Sequence, residues 1–186
     1  SSCLRSAVSI LPILLETARA LSERITGIRF LISLAPSVAR ERVLAIMAGF
    51  DWAEGIELVA DGVEKVFEKS TLVVAASGTV TLEAAIYGTP MVIIYRVSPL
   101  SYWIGRALIR VKSIGLVNLI AENQIIPELI QDQATPEKIG DTVCGMMDDR
   151  ESLDRIRKKL FIVRDILGGA GASARVADIA MGMLQK

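Results

Sequence analysis

Residues 71–95, TLVVAASGTVTLEAAIYGTPMVIIY, restrict the fold of this chain more than any other stretch. Thr71–Ala76 is a short apolar, β-branched run, the size of a buried strand. Ser77-Gly78-Thr79 breaks it with turn and cap residues. Val80–Tyr87 then reads as one or two turns of helix, with Glu83 in the first turns. Gly88 stops the helix, Thr89-Pro90 restarts the chain, and Met91–Tyr95 is a second buried-strand run. Strand, turn, helix and strand in 25 residues predict parallel strands joined by a crossover helix. Ligands of such sheets sit at the carboxyl ends of the strands, where Ser77–Thr79 lies.

The flanking segments extend the pattern. Helices are expected over Val8–Arg24, Ala39–Ala48 and Gly62–Lys69, and strands over Ile28–Leu34 and Ile56–Ala60. Beyond the central unit, Leu100–Val111 reads as a helix and Gly115–Ile120 as an irregular or extended piece. Ile125–Gln131 reads as a short helix. Thr135-Pro136 caps another, and Glu151–Leu167 and Ala172–Leu184 complete the chain. The expectation is one α/β domain over residues 1–186, a Rossmann-like parallel sheet with flanking helices and a helical tail from about residue 151.

Composition excludes several functions. The chain has 186 residues, 52% apolar and 23% charged, enough for one sizeable core and far from disorder. Zero formal net charge counts against a dedicated nucleic-acid binder. The absence of histidine removes a Ser-His-Asp triad, His-based zinc sites and imidazole acid–base chemistry from this chain. Two cysteines, Cys3 and Cys144, form neither a disulfide framework nor a metal spacing, so a reduced chain without metal or cofactor is expected.

The residues at the Ser77 turn suit an anion. Free N–H groups at a helix start favour a phosphate, and Gly78 permits close approach to the backbone. Read from the motif alone, Ser77 and Thr79 serve equally as helix caps and Glu83 as a complement to the helix dipole. Arg96 follows a strand end. Gly168–Ser173, GGAGAS, lacks a preceding strand and a Lys, and reads as a helix-breaking turn.

The stretch Ser77-Gly78-Thr79…Glu83…Gly88-Thr89-Pro90-Met91-Val92…Tyr95-Arg96, extended by Asn118 and Pro127-Glu128-Leu129…Gln131, resembles the C-terminal domain of the lipid-A-disaccharide synthases. The resemblance runs from about Leu11 to Leu184. It implies half of a two-domain GT-B glycosyltransferase, with the N-terminal acceptor domain absent here. It also implies a reaction: 2,3-diacylglucosamine passes from UDP to lipid X and forms a β-1,6-linked lipid A disaccharide. The implied setting is cytoplasmic, on the inner-membrane surface of a Gram-negative bacterium, with a homodimer left open. Carried onto this sequence, the nucleotide-binding candidates are Ser77, Gly78, Thr79, Glu83 (to the ribose), Arg96, Asn118, Gln124 and Glu128. No residue is assigned to catalysis.

The sequence departs from the family in three places. Val117 stands where the family has Pro before Asn118. Glu122-Asn123-Gln124 stands where it has Gly-Arg-Glu. By register, Ser2-Cys3-Leu4 and Ala7 replace a Gly-Ser-Arg turn and its Glu. Two other classes therefore stay open: another UDP-sugar glycosyltransferase or epimerase domain, and a non-catalytic oligomerisation module using the apolar helices at 100–111 and 172–184.

Residues 84–121 contain no acid but include Arg96, Arg106, Arg110 and Lys112. Tyr102, Arg106 and Arg110 share one helical face, beside an apolar stripe with Trp103. A basic residue near an anionic leaflet gains roughly 1 kcal/mol. The chain is expected to sediment with anionic vesicles at low salt, to be released at high salt, and to lose binding in the Arg106→Glu/Arg110→Glu variant. Neutral vesicles should leave it in the supernatant. Failure to bind either vesicle type makes this helix core packing.

Overall fold

The computed structural model describes residues 2–35, 38–60, 62–98, 113–169 and 171–184. The expected 100–111 helix, with Tyr102, Trp103, Arg106, Arg110 and Lys112, lies outside them. Among the described residues, five parallel strands form two hydrogen-bonded groups. In one, β1 (Leu31–Ser33) pairs with β2 (Glu57–Val59), Ile32 opposite Leu58. In the other, β4 (Met91–Tyr95) lies between β3 (Val73–Ala76) and β5 (Glu128–Ile130).

The centre of the fold is β4. Its residues alternate between the two faces of the sheet, and Met91, Val92, Ile93 and Ile94 are at most 1% exposed. A strand buried on both faces needs a continuous apolar run, and MVIIY provides one. Met91 and Ile93 pack with Phe67, Ala84, Ala85, Val117, Leu160 and Val163. These come from α3 (Glu64–Lys69), α4 (Val80–Ile86), α5 (Leu116–Ile120) and α7 (Arg150–Leu167). Val92 and Ile94 pack on the other face with Ile10, Leu21, Ile139 and Val143. Those belong to α1 (Ser2–Arg24) and α6 (Pro136–Asp148). A third cluster joins Leu11 and Leu15 of α1 to Val43 and Met47 of α2 (Arg40–Met47), over Ile32 and Leu58.

Helix ends follow the local chemistry. The Thr135 hydroxyl accepts from Lys138 N–H at 3.3 Å, and Pro136 occupies the first turn, as the sequence predicts. Asp149 caps α7 by accepting from Ser152 N–H at 2.8 Å. Arg24 joins Asp141 at 2.8 Å and pins the end of α1 to α6. That hydrogen bond is the main cause holding the Arg24 guanidinium above its ordinary pKa. The last helix, α8 (Ala172–Leu184), leaves Val176, Ile179, Met181 and Met183 exposed.

Three expectations change. The first helix begins at Ser2, not Val8, so Ser2-Cys3-Leu4, which replaces the family's Gly-Ser-Arg turn, lies within it. Gly115–Ile120 is not extended: Leu116–Ile120 is a helical turn. Ile125–Gln131 is not a helix, because Glu128–Ile130 finds a better partner in β4, with Ile93 opposite Glu128 and Tyr95 opposite Ile130. Tertiary pairing overrides the local periodicity there.

Gly88 closes α4 at φ 69°, and a Cβ there would lie 2.5 Å from Cζ of Phe161 on α7. Gly88→Ala is expected to cost about 1–3 kcal/mol, combining left-handed strain with displacement of that ring. Urea denaturation should show a lower midpoint, partly restored when Phe161→Ala is added. An unchanged midpoint would mean that the turn relaxes freely.

Candidate functional site

The carboxyl ends of β3, β4 and β5 gather most of the residues marked by the sequence. Ser77, Gly78 and Thr79 follow β3 directly, and Arg96 follows β4. Neither hydroxyl caps α4. Thr79 makes no side-chain cap bond, and Ser77 Oγ instead donates to the Ile114 carbonyl at 3.4 Å. Thr81 donates to the Gly78 carbonyl at 2.7 Å, so the turn is tightened from inside the helix. Among the described residues, the N–H groups of Gly78, Thr79 and Val80 find no backbone or side-chain acceptor. Among the described residues nothing lies within 4 Å of a Cβ built on Gly78. N–H donors without a partner are what an anion requires.

Glu83 and Arg96 are both exposed, and among the described residues neither forms an ion pair. Glu83 lies in the first turn of α4, beside the Ser77 turn, and Arg96 at the end of the neighbouring strand. Among the described residues no side-chain hydrogen bond engages either of them.

Asn118 and Glu128 are placed differently. The Asn118 amide donates to the Ile126 carbonyl at 2.8 Å and to Glu128 Oε1 at 2.6 Å. Its oxygen accepts from Ile125 N–H at 2.9 Å and Ile126 N–H at 3.0 Å. With both donors and both lone pairs engaged, and 1% exposure, Asn118 has nothing left for a ligand. The Glu128 carboxylate accepts from Ile114 N–H at 2.8 Å and Gly115 N–H at 3.1 Å as well as from Asn118. It therefore satisfies the free N–H groups where the 113–115 loop enters α5. The same loop receives the Ser77 hydroxyl. In this arrangement Asn118 and Glu128 hold the wall of the site. Gln124 is exposed in the segment leading into the amino end of β5, the opposite end of the strands from Ser77.

One feature is not visible in the sequence spacing. The Gln131 amide takes N–H of Val97 at 2.8 Å and donates to the Val97 carbonyl at 3.1 Å. It prolongs the β4–β5 ladder by one side chain and fixes the backbone just beyond Arg96. Gly115 is also required: a Cβ there would lie 2.5 Å from Ile93 Cδ1 and 3.0 Å from Glu128 Oε1.

A family model described as lipid-A-disaccharide synthetase matches residues 4–165. The chain belongs to the lipid-A-disaccharide synthetase family. A lipid-A-disaccharide synthase of Geobacter metallireducens is 42% identical over 179 residues, covering 95% of this chain and 46% of the relative. One from Geobacter sulfurreducens is 40% identical with the same coverage, and one from Trichlorobacter lovleyi is 37% identical over 187 residues. The chain thus spans about half the length of these lipid-A-disaccharide synthases. Among solved structures, a putative UDP-N-acetylglucosamine 2-epimerase from Listeria monocytogenes superposes with a TM-score of 0.52 at 19% identity, over 88% of this chain and 40% of that one. That likeness concerns the fold, the Rossmann-like half of a GT-B architecture.

Glu128→Gln removes one acceptor from a group that serves three donors. The expected loss is about 1–3 kcal/mol, the scale of a buried donor left unsatisfied. Amide exchange at Ile114 and Gly115 should accelerate more than exchange at Ile93. Equal exchange in wild type and variant would remove Glu128 from the role of loop clamp.

Proposed function

We propose that this chain is the donor-nucleotide-binding part of a lipid-A-disaccharide synthase. The match of the family model across residues 4–165 carries the reading. The N–H groups of Gly78 and Thr79 and the side chains of Glu83 and Arg96, all without a partner among the described residues, support it physically. In this reading the diphosphate of UDP-2,3-diacylglucosamine lies over the Ser77–Thr79 turn, with the Arg96 guanidinium as a further counter-charge. The Glu83 carboxylate accepts from the ribose hydroxyls. Transfer breaks the bond between the sugar's anomeric carbon and the diphosphate and forms a β-1,6 bond to lipid X, releasing UDP. The acceptor hydroxyl loses its proton to a base outside this chain. Gln124, at the far end of β5, takes part only if the donor reaches across the sheet.

The membrane setting is part of the same proposal. No helix among the described residues is long and apolar enough to cross a bilayer. Acylated substrates call for peripheral contact, which the basic residues of the 100–112 stretch and the apolar side chains of α8 would supply. A second reading, a self-associating module without a ligand, is favoured by the exposure of Val176, Ile179, Met181 and Met183.

Calorimetric titration with UDP separates the two. The nucleotide reading expects weak binding, and Glu83→Ala should weaken it by about 1–3 kcal/mol, the scale of charge-assisted hydrogen bonds lost on one side. Equal affinity of wild type and variant removes Glu83 from the ribose. No binding, with concentration-dependent self-association, favours the module. The chain by itself is expected to make no disaccharide from donor and lipid X, and detection of that product would place the whole active site here.

A further inference from the structure

The pairing of β4 with β5 continues past the point where β5 ends. Ile93 stands opposite Glu128, and Ile93 N–H bonds to the Pro127 carbonyl at 3.0 Å. A parallel ladder steps by two residues, so the same register calls for Tyr95 N–H on the Leu129 carbonyl and then Val97 N–H on the Gln131 carbonyl. It also calls for Gln133 N–H on the Val97 carbonyl. The backbone makes neither of these last two rungs. Gln131 has φ 51°, and the chain turns there into the 3-10 helix Gln131–Gln133. Its carbonyl accepts from Ala134 N–H at 3.1 Å instead.

The Gln131 side chain makes both rungs. Oε1 accepts from Val97 N–H at 2.8 Å, in place of the residue's own carbonyl. Nε2 donates to the Val97 carbonyl at 3.1 Å, in place of Gln133 N–H. Only a primary amide ends a side chain with an acceptor beside two donors, and Asn is one methylene shorter. The cost is a left-handed backbone at a residue that has a Cβ. Gly would adopt that conformation without strain but would make neither bond. A strained residue whose side chain serves one backbone position marks a constraint on that position.

The position adjoins Arg96. Tyr95 ends β4 and pairs with Ile130, so Arg96 is the first residue after the strand. With Val97 also bound, the Arg96 backbone is held on both sides. On the other edge of β4, Ser77 N–H bonds to the Ile94 carbonyl at 2.9 Å, which fixes the Ser77 turn to the same stretch of strand. The Arg96 side chain is exposed and forms no ion pair among the described residues. Its backbone therefore sets where the guanidinium starts.

We propose that Gln131 is a positioning residue for the candidate site. It holds Arg96 in the β4 register beside the Ser77 turn, so that the guanidinium meets the diphosphate from a fixed backbone. The identity of that anion rests on the nucleotide reading above, and the hold on Arg96 does not. An ordered backbone spares a bound anion the entropy of fixing about one residue, so loss of the amide should weaken binding about 10-fold.

Two variants and two ligands test this. Gln131→Leu removes both bonds. Gln131→Gly removes both and relieves the left-handed strain, which guards against loss of folding. Each should weaken UDP about 10-fold in an NMR titration and leave uridine, which lacks the diphosphate, unchanged. In an Arg96→Ala background neither should weaken UDP further. A general loosening of the site would weaken uridine equally and add to Arg96→Ala, and either result overturns the proposal. Backbone amide relaxation measures the hold on Arg96 without a ligand. The order parameter at Arg96 should be about 0.85 in the wild type and fall below about 0.6 in both variants. An unchanged value also overturns the proposal. If the wild type binds neither UDP nor uridine, the nucleotide reading fails, and the relaxation measurement alone decides whether Gln131 holds Arg96.

Discussion

The burial of β4 on both faces is the constraint on which the rest of this molecule depends. Met91 and Ile93 anchor one apolar cluster and Val92 and Ile94 the other, and each is essentially inaccessible. A strand in that position cannot carry polar side chains, and its backbone groups must be paired on both edges. Pairing with β3 and β5 meets the second demand, and helices on each face meet the first. The direction of β4 also sets where chemistry can occur. Its carboxyl end presents Arg96, and its neighbour β3 ends at the Ser77 turn one strand away.

Polar groups near that end divide into two kinds. Asn118, Glu128 and Gln131 spend their hydrogen bonds inside the protein, on loop amides that would otherwise be unsatisfied. Glu83 and Arg96 are exposed and have no side-chain partner among the described residues, and half-buried Ser77 joins the two kinds through its bond to the Ile114 carbonyl. The first set gives the second a fixed frame, because Ile114 is held by Glu128 and in turn accepts from Ser77. A rigid frame matters for a diphosphate, whose recognition depends on several donors being aligned before it arrives.

The sequence by itself determined the central unit. MVIIY could only be a doubly buried strand, Gly88 and Thr89-Pro90 had to end one element and start another, and Thr135-Pro136 had to open a helix. Those signals are local: side-chain size, branching, and the conformational limits of Gly and Pro act within a few residues. Family membership was also legible, because the Ser77–Arg96 motif is contiguous. Tertiary structure decided the rest. Glu128–Ile130 became a strand because β4 had a free edge beside it, which no window around Pro127 contains. Asn118 and Glu128 became internal clamps, and not free ligands, because ten residues of chain fold back and place their groups 2.6 Å apart. A polar side chain carries the same hydrogen-bonding capacity in either role, and only the partners that surround it in three dimensions determine which role it takes.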